Sequence, residues 1–380
     1  SLSKRDLIMY PLIDFSTTIE KEIPSNISIS VTGGRFALNE DFPEICGGII
    51  NSKDYSLNIY DTYIEKVDSF EDEETFILKF DHSDGKKCAI NIRDSSFVDF
   101  SSVKLIIKSD EEMIVSNCLF EDFSDSPLLF QGNNDVTFDN TTFSKSKQNC
   151  VAVNTTKWDT TGNNFNYCNF QSINGTPEVT GKGTNKFTSC NFSNNECSQR
   201  TPGALHALGT ATITLDSCNF TDNVGTYHGG AVLINIRSFN IYDCNFDHNT
   251  CIKKDIDDES EKAQGGAIFI YQHTKFNLLH CTFRNNYAST NGGALFIQYR
   301  KVNPGDQANQ DAAEIQECTF EQCYTDGDGG ALTSGIGDAT GTKCDGDILV
   351  NNCTFINCNA TNSGGALMFL DGTAKGDEYK

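Results

Sequence analysis

Nowhere in these 380 residues is there a run of eighteen apolar side chains, and the opening stretch SLSKRDLIMY has no apolar centre. The first absence excludes a membrane-spanning helix within the chain, and the second means that this stretch does not read as a secretory leader. The chain is expected to be either soluble or the mature part of a longer protein whose targeting and anchoring segments lie outside it. Helical periodicity is also missing, so the elements are strands and turns. Positive charge is scarce: 29 Lys and Arg against 52 Asp and Glu leave a formal charge of −23. That repulsion argues against nucleic acid and anionic lipid as partners. The acidity reads as solubility, with affinity for cations. Close CxxC pairs are absent, which argues against zinc, and the six histidines fall at unrelated positions.

What is present is repetition. FNIYDCNFDHN at 239–249 returns as ITLDSCNFTDN at 213–223, FNLLHCTFRNN at 276–286, AEIQECTFEQC at 313–323 and ILVNNCTFINC at 348–358. Weaker copies carry the pattern back to about residue 57. Each copy is anchored by a small residue, at Thr62, Ser95, Cys118, Thr141, Cys168, Cys190, Cys218, Cys244, Cys281, Cys318 and Cys353; two positions later, ten of these eleven copies have phenylalanine. Upstream, apolar residues such as Phe239 and Ile241 alternate as in a strand with one buried face. The step of three from Ile241 to Cys244 breaks period two and predicts a two-residue corner, Tyr242-Asp243. In the later copies a glycine pair, starting at Gly229, Gly265, Gly292, Gly329 and Gly364, supplies another bend before a further apolar strand.

Three strands and three bends per copy describe one turn of a solenoid. The predicted class is all-β, a right-handed parallel β-helix of about eleven coils with stacked phenylalanines as its spine. Residues 1–45 do not fit the repeat and are assigned to an N-terminal cap, 46–375 to the coils and 376–380 to a tail. The chain is expected to be a fragment of a longer protein.

The glycine-pair motif GGA[ILV], alternating with Phe-x-x-Asn at 192–195, 220–223, 246–249 and 283–286, resembles the repeats of the chlamydial polymorphic outer-membrane proteins. It is also similar to repeats in surface proteins of parasitic protists. Cys323 and Cys358 depart from the motif where asparagine is expected, and full motif pairs cover roughly 190–370. The resemblance implies a surface-displayed β-helix used in adhesion, the passenger part of a larger membrane-attached protein. It implies no catalytic residues.

The anchor cysteines are read as buried free thiols, because stacked side chains hold their Cβ atoms about 4.8 Å apart, beyond the usual disulfide range of about 3.5–4.5 Å. The other eight, Cys46, Cys88, Cys150, Cys197, Cys251, Cys323, Cys344 and Cys358, are assigned to loops or bends. Among them Cys323 and Cys358, at one site in neighbouring copies, are the disulfide candidates. Asn26, Asn140, Asn154, Asn174, Asn191, Asn219, Asn352 and Asn359 head Asn-x-Ser/Thr sequons and are glycosylation candidates. Asp326, Asp328, Asp345 and Asp347 offer oxygen ligands for calcium, the one candidate cofactor, although no full calcium-loop pattern is matched.

Outward positions carry mostly Asn, Thr, Ser and Asp, and the carboxylates Glu314 and Glu317 of one coil make weak catalytic machinery. The chain is therefore expected not to be an enzyme. The favoured function is adhesion or recognition at an extracellular or cell-surface location, with a host-cell receptor, a glycan or a neighbouring surface protein as partner. Long loops after Cys251, Gly293 and Gly330 are the expected contact surface, without membrane insertion by this segment. Two alternatives stand: a structural rod or filament subunit of a cell-surface coat, joined end to end, and a polysaccharide lyase or hydrolase of β-helix type.

Overall fold

The structure, a computed structural model, describes residues 13–15, 28–32, 35–37, 50–53, 56–68, 78–81, 89–101, 106–109, 113–123, 128–132, 136–145, 151–155, 164–171, 173, 178–181, 184–197, 202–209, 212–236, 238–254, 262–271, 275–299, 313–336 and 348–369. It divides into two compact units, Ser1–Thr184 and Asn185–Lys380. No helix occurs among the described residues.

In the first unit, strands Ser28–Thr32, Ser56–Tyr60, Ile90–Arg93, Met113–Ser116, Val136–Asp139 and Asn164–Asn166 lie side by side in chain order as a parallel sheet. A second sheet repeats that order from Arg35–Ala37 to Asn169–Gln171. Equivalent residues stand directly opposite each other, as Val115 does to Phe138 and Phe120 to both Phe97 and Phe143. This is the lattice of a parallel β-helix. Within the stretch assigned to the cap, Ile29 pairs with Leu57, Val31 with Ile59 and Phe36 with Ile64, so strands Ser28–Thr32 and Arg35–Ala37 extend the two sheets in register with the first copy. The tail 376–380 lies outside the described residues.

The second unit repeats the lattice with a richer coil. Ser238–Tyr242, Asn245–Asp247 and Val232–Asn235 each belong to a parallel sheet. A fourth sheet is made of two-residue strands, Val224–Gly225, Thr250–Cys251, Tyr287–Ala288, Tyr324–Thr325 and Asn359–Ala360. Coils here therefore have four strands rather than the three expected, because a two-residue strand is too short to leave a periodic signal.

The corners explain the anchor. Only one residue turns: Asp61, Asp94, Asn117, Asn140, Tyr167, Ser189, Ser217, Asp243, His280, Glu317 and Asn352 all have φ between 45° and 57°, while Tyr242 remains in its strand. A left-handed residue costs about 1–2 kcal/mol outside glycine. The anchor helps to offset it with a donor that satisfies the carbonyl two residues back. Thr62 Oγ1 donates to the Tyr60 carbonyl at 2.9 Å, Ser95 Oγ to Arg93 at 2.7 Å and Cys244 Sγ to Tyr242 at 3.1 Å. The anchor's own N–H is taken by the next coil, from Thr62 to Ser95 Oγ at 3.2 Å and from Cys218 to Cys244 Sγ at 3.3 Å. Position and chemistry thus demand a small inward residue that both donates and accepts.

The same device is used again five residues later. Asp222, His248 and Asn285 are left-handed, with φ of 55°, 53° and 53°, and the asparagine that follows each points inward and is fully buried. Asn249 is a rung of a polar ladder. Its Nδ2 donates to Asn286 Oδ1 at 3.1 Å and to the Phe220 carbonyl at 2.9 Å, while its Oδ1 accepts from Asn223 Nδ2 at 2.8 Å and from Asn223 N at 3.2 Å. Asn195 joins Asn223 in the same way.

The core between corners is aromatic. In the second unit Phe192, Phe220, Phe246, Phe283, Phe320 and Phe355 stack with centroids 4.5–5.0 Å apart and planes within 4–6°. In the first, Phe97, Phe120, Phe143 and Phe170 do so at 4.8–5.3 Å. Those distances are offset-stacking distances, and each such contact adds about 0.5–1.5 kcal/mol to the burial itself.

Candidate functional site

With the core accounted for, recognition chemistry has to lie on outward positions. Most are Asn, Ser and Thr that tie to their stacked equivalents, as Asn277 does to Asn240 at 2.8 Å and Asn91 to Asn58 at 3.0 Å. One area of the second unit differs. Along its first corner Asp243, His280 and Glu317 follow one another, with His280 Nδ1 3.4 Å from Asp243 Oδ1 and Nε2 3.0 Å from Glu317 Oε2. Four or five residues on, Arg284 Nε reaches Glu321 Oε2 at 3.0 Å, and Asp247 accepts from Asn285 Nδ2 at 3.1 Å beside His248 Nδ1 at 3.0 Å.

Past the second corner, the short strands put Tyr287 over Tyr324, centroids 5.6 Å apart and planes 9° apart. The Tyr287 hydroxyl donates to Asp326 Oδ2 at 2.6 Å, and the Tyr324 hydroxyl bonds Thr361 Oγ1 at 3.0 Å. Burial and the Asp326 carboxylate hold the Tyr287 phenol well above its ordinary pKa, so it stays a donor. Histidine at the first corner, arginine on the strand after it and half-buried tyrosine past the second corner thus stand outward on successive parts of the coil, each on backbone fixed by parallel pairing. Rigid aromatic and arginine side chains are the types that dominate binding energy at interfaces.

Sequence-level candidates fare variously. Asp326 is engaged by Tyr287, and Asp328 accepts through its backbone carbonyl from Thr333 Oγ1 at 2.6 Å; Asp345 and Asp347 lie outside the described residues. Glu314 bonds Gln316 at 2.7 Å and Glu317 bonds His280, so the two carboxylates of that coil are committed to different partners. Asn140 donates to Asn117 Oδ1 and Asn219 to Asn191 Oδ1, both at 3.0 Å, so these exposed sequon asparagines belong to surface ladders. Asn352 and Asn359 are exposed; Asn26, Asn174 and the Asn154 side chain are outside the described residues. So are Cys46, Cys88, Cys150 and Cys344, and the loop segments 255–261, 300–312 and 337–347.

Two assignments change. Cys197 and Cys251, assigned to loops or bends, point inward and are buried, Cys251 against Ala263 and Ala288. His228 is buried as well: it stacks on Phe269 at 3.9 Å, and its Nδ1 has no hydrogen-bond partner. Burial pushes His228 down to about 3 and His206 down to about 4. Both are neutral in the folded chain, whereas the unfolded chain binds their protons below about pH 6.5. Stability from this source is complete above that pH and is lost as pH falls toward 4. His228→Phe should therefore reduce the loss of urea-unfolding stability between pH 7 and pH 5 by about 2 kcal/mol. An unchanged pH dependence would show that His228 protonates freely in the fold.

Family comparisons fit this geometry. Residues 49–192 match the model of a right-handed beta helix region, and the fold class is accordingly a right-handed parallel β-helix. Residues 280–298, from His280 through the tyrosine strand and the glycine pair to Gln298, match the Chlamydia polymorphic membrane protein repeat. This one stretch of the chain is similar to the polymorphic membrane protein repeat. Proteins with this repeat form a family of surface proteins. No curated protein and no solved structure matches the chain. The matched repeat contains His280, Arg284 and Tyr287, so the outward face described above is built on it. These side chains leave no signal in the constant columns of the repeat; their signal lies in the outward columns, where Ser189, Ser217, Asp243, His280, Glu317 and Asn352 change chemistry from coil to coil.

Proposed function

We propose that the chain is a surface-displayed recognition module, an adhesin whose contact area in the second unit is the face bearing His280, Arg284, Tyr287 and Tyr324. The observation that carries this reading is the contrast, among the described residues of the second unit, between a repetitive interior and outward positions with stacked tyrosines and bridged charges. A parallel lattice holds the face rigid, so little ordering entropy is lost on contact. Its partner is a host-cell receptor, a glycan or a neighbouring surface protein, reached from an extracellular position with the anchor supplied by chain outside this segment.

The reading is tested by cell-binding and glycan-array assays with the purified chain and with the triple variant Arg284→Ala/Tyr287→Ala/Tyr324→Ala. Binding should weaken at least ten-fold in the variant, as hot-spot truncations do, while Thr212→Ala/Thr214→Ala on another sheet leaves it unchanged. Equal binding by wild type and triple variant would remove this face from the function.

A further inference from the structure

Cys323 and Cys358 are unlinked thiols that bond carbonyls, Cys323 Sγ those of Phe283 and Glu321 at 3.5 Å and Cys358 Sγ that of Phe320 at 3.4 Å, as the anchor thiols do. Tyr167, in the first unit, has no such commitment. It is the most exposed large hydrophobic side chain among the described residues, at 61%, and makes no hydrogen bond or ring contact with any of them. It also stands at the first corner of its coil with φ of 53°, where the coils before it have Asp61, Asp94, Asn117 and Asn140. Asparagine and aspartate tolerate that region. A bulky ring there is an outlier, and such outliers gather at sites of function.

We propose that Tyr167 is the platform of a binding site for a neutral glycan. Its coil reads Asn-Phe-Asn-Tyr-Cys-Asn-Phe-Gln over 164–171, and the other outward side chains, Asn164, Asn166, Asn169 and Gln171, are all carboxamides. Earlier coils of the unit differ: Arg93 and Asp139 stand in the column of Asn166, and Glu121 in that of Gln171. A carboxamide donates and accepts through neighbouring atoms and has no charge, which suits the adjacent hydroxyls of a sugar. The tyrosine ring supplies a flat apolar surface for the C–H face of a pyranose. An anionic glycan would find no cation in this coil, and Asp139 in the coil before it would repel one.

The polar groups of this site are open. Elsewhere outward carboxamides are tied to one another, as Asn91 is to Asn58, whereas the side chains of Asn166 and Gln171 have no partner among the described residues. Along the corner Asn117 Nδ2 donates to Asp94 Oδ1 at 2.9 Å and Asn140 Nδ2 to Asn117 Oδ1 at 3.0 Å. The next donor in that series would come from residue 167. Tyrosine there ends the ladder and leaves Asn140 Oδ1 without a donor, although Asn140 N still bonds the Asn166 carbonyl at 2.9 Å. Parallel pairing of Phe165 with Phe138 and Phe170 with Phe143 holds the backbone, so little ordering entropy is lost on contact. At about 3.3 Å per residue, Asn166 and Gln171 span at most about 17 Å, the reach of a short oligosaccharide. This site is independent of the residues around Arg284.

The test titrates the full chain with cellotetraose, chitotetraose, maltotetraose and lacto-N-neotetraose, and with sialyllactose as the acidic comparison, by saturation-transfer NMR and calorimetry. At least one neutral tetrasaccharide should bind, and Tyr167→Ala should weaken that binding at least ten-fold, as truncation of an aromatic hot spot does. Tyr167→Phe should keep it within about three-fold, because the ring makes the contact. Tyr167→Asn separates binding from folding. It puts a residue suited to the left-handed corner in place and offers Asn140 Oδ1 a donor, so binding should be lost while the urea midpoint holds or rises. No binding by any neutral probe, tighter binding of sialyllactose than of all of them, undiminished binding by Tyr167→Ala, or a lower midpoint for Tyr167→Asn would each overturn the proposal.

Discussion

Gly266→Ala should prevent the second unit from assembling. The second glycine of each pair lies where one coil rests on the next, and a Cβ on Gly266 would fall inside contact distance of the Gly293 carbonyl oxygen and of the Tyr287 backbone carbonyl. Those obstacles are backbone atoms held by the ladder, with Gly266 N donating to the Gly292 carbonyl at 3.0 Å, so no side chain can swing aside. Overpacking of an ordinary core costs about 1–3 kcal/mol because rotamers give way; here the coils themselves must separate, and a loss above about 4 kcal/mol is expected. Insoluble protein, or a circular dichroism spectrum with most of its strand signal gone, is the readout. Gly265, whose φ is 72°, is required for a different reason, the left-handed backbone itself. A soluble, fully folded Gly266→Ala chain would show that coil spacing is adjustable at this corner.

Asn249→Ala should cost about 4 kcal/mol, through polar satisfaction rather than space. Truncation takes partners from Asn223 N, Asn223 Nδ2 and the Phe220 carbonyl, while Asn286 Oδ1 keeps the backbone N–H of residue 249. All belong to a fully buried column, and each buried polar group left unpaired costs about 1–3 kcal/mol, less where a water enters. The neighbouring Asn285 provides the control, since its side chain faces outward and bonds Asp247; Asn285→Ala should cost well under half as much, including the loss of a residue suited to the left-handed region. Urea unfolding followed by circular dichroism compares the two. Near-equal effects would mean that Asn249 acts only as a corner residue.

The interior was legible because it is chemically narrow. Phenylalanine two residues past the anchor, and alternation before it, fix which side chains point inward, and the stacking of Phe246 on Phe220 and Phe283 follows directly. The polar half of the interior was harder. At Cys244 and Asn249 sequence spacing reports volume and direction but not which carbonyl or N–H needs a partner. Only the turning of single residues such as Asp243 and His248 reveals those orphans. Strands Ser28–Thr32 and Arg35–Ala37 were harder to assign for a related reason: NISISV at 26–31 alternates like a strand, but the sequence between the two strands is Gly-Gly, without the polar anchor of later copies. The exposed face was the least legible, since stacking of Tyr287 on Tyr324 depends on a two-residue strand that no periodicity announces.

The asparagine column has a direction. Every carboxamide bond in it runs one way, from Asn195 to Asn223, from Asn223 to Asn249 and from Asn249 to Asn286, with the donor in the earlier coil and the acceptor in the later one. A copied coil entering the column meets a free acceptor on one side and a free donor on the other, so a duplication that keeps Phe-x-x-Asn closes the column again without change to its neighbours. The number of coils can therefore vary by whole units while the outward residues of each new coil diverge freely. Length and surface chemistry become separately inheritable traits of one fold.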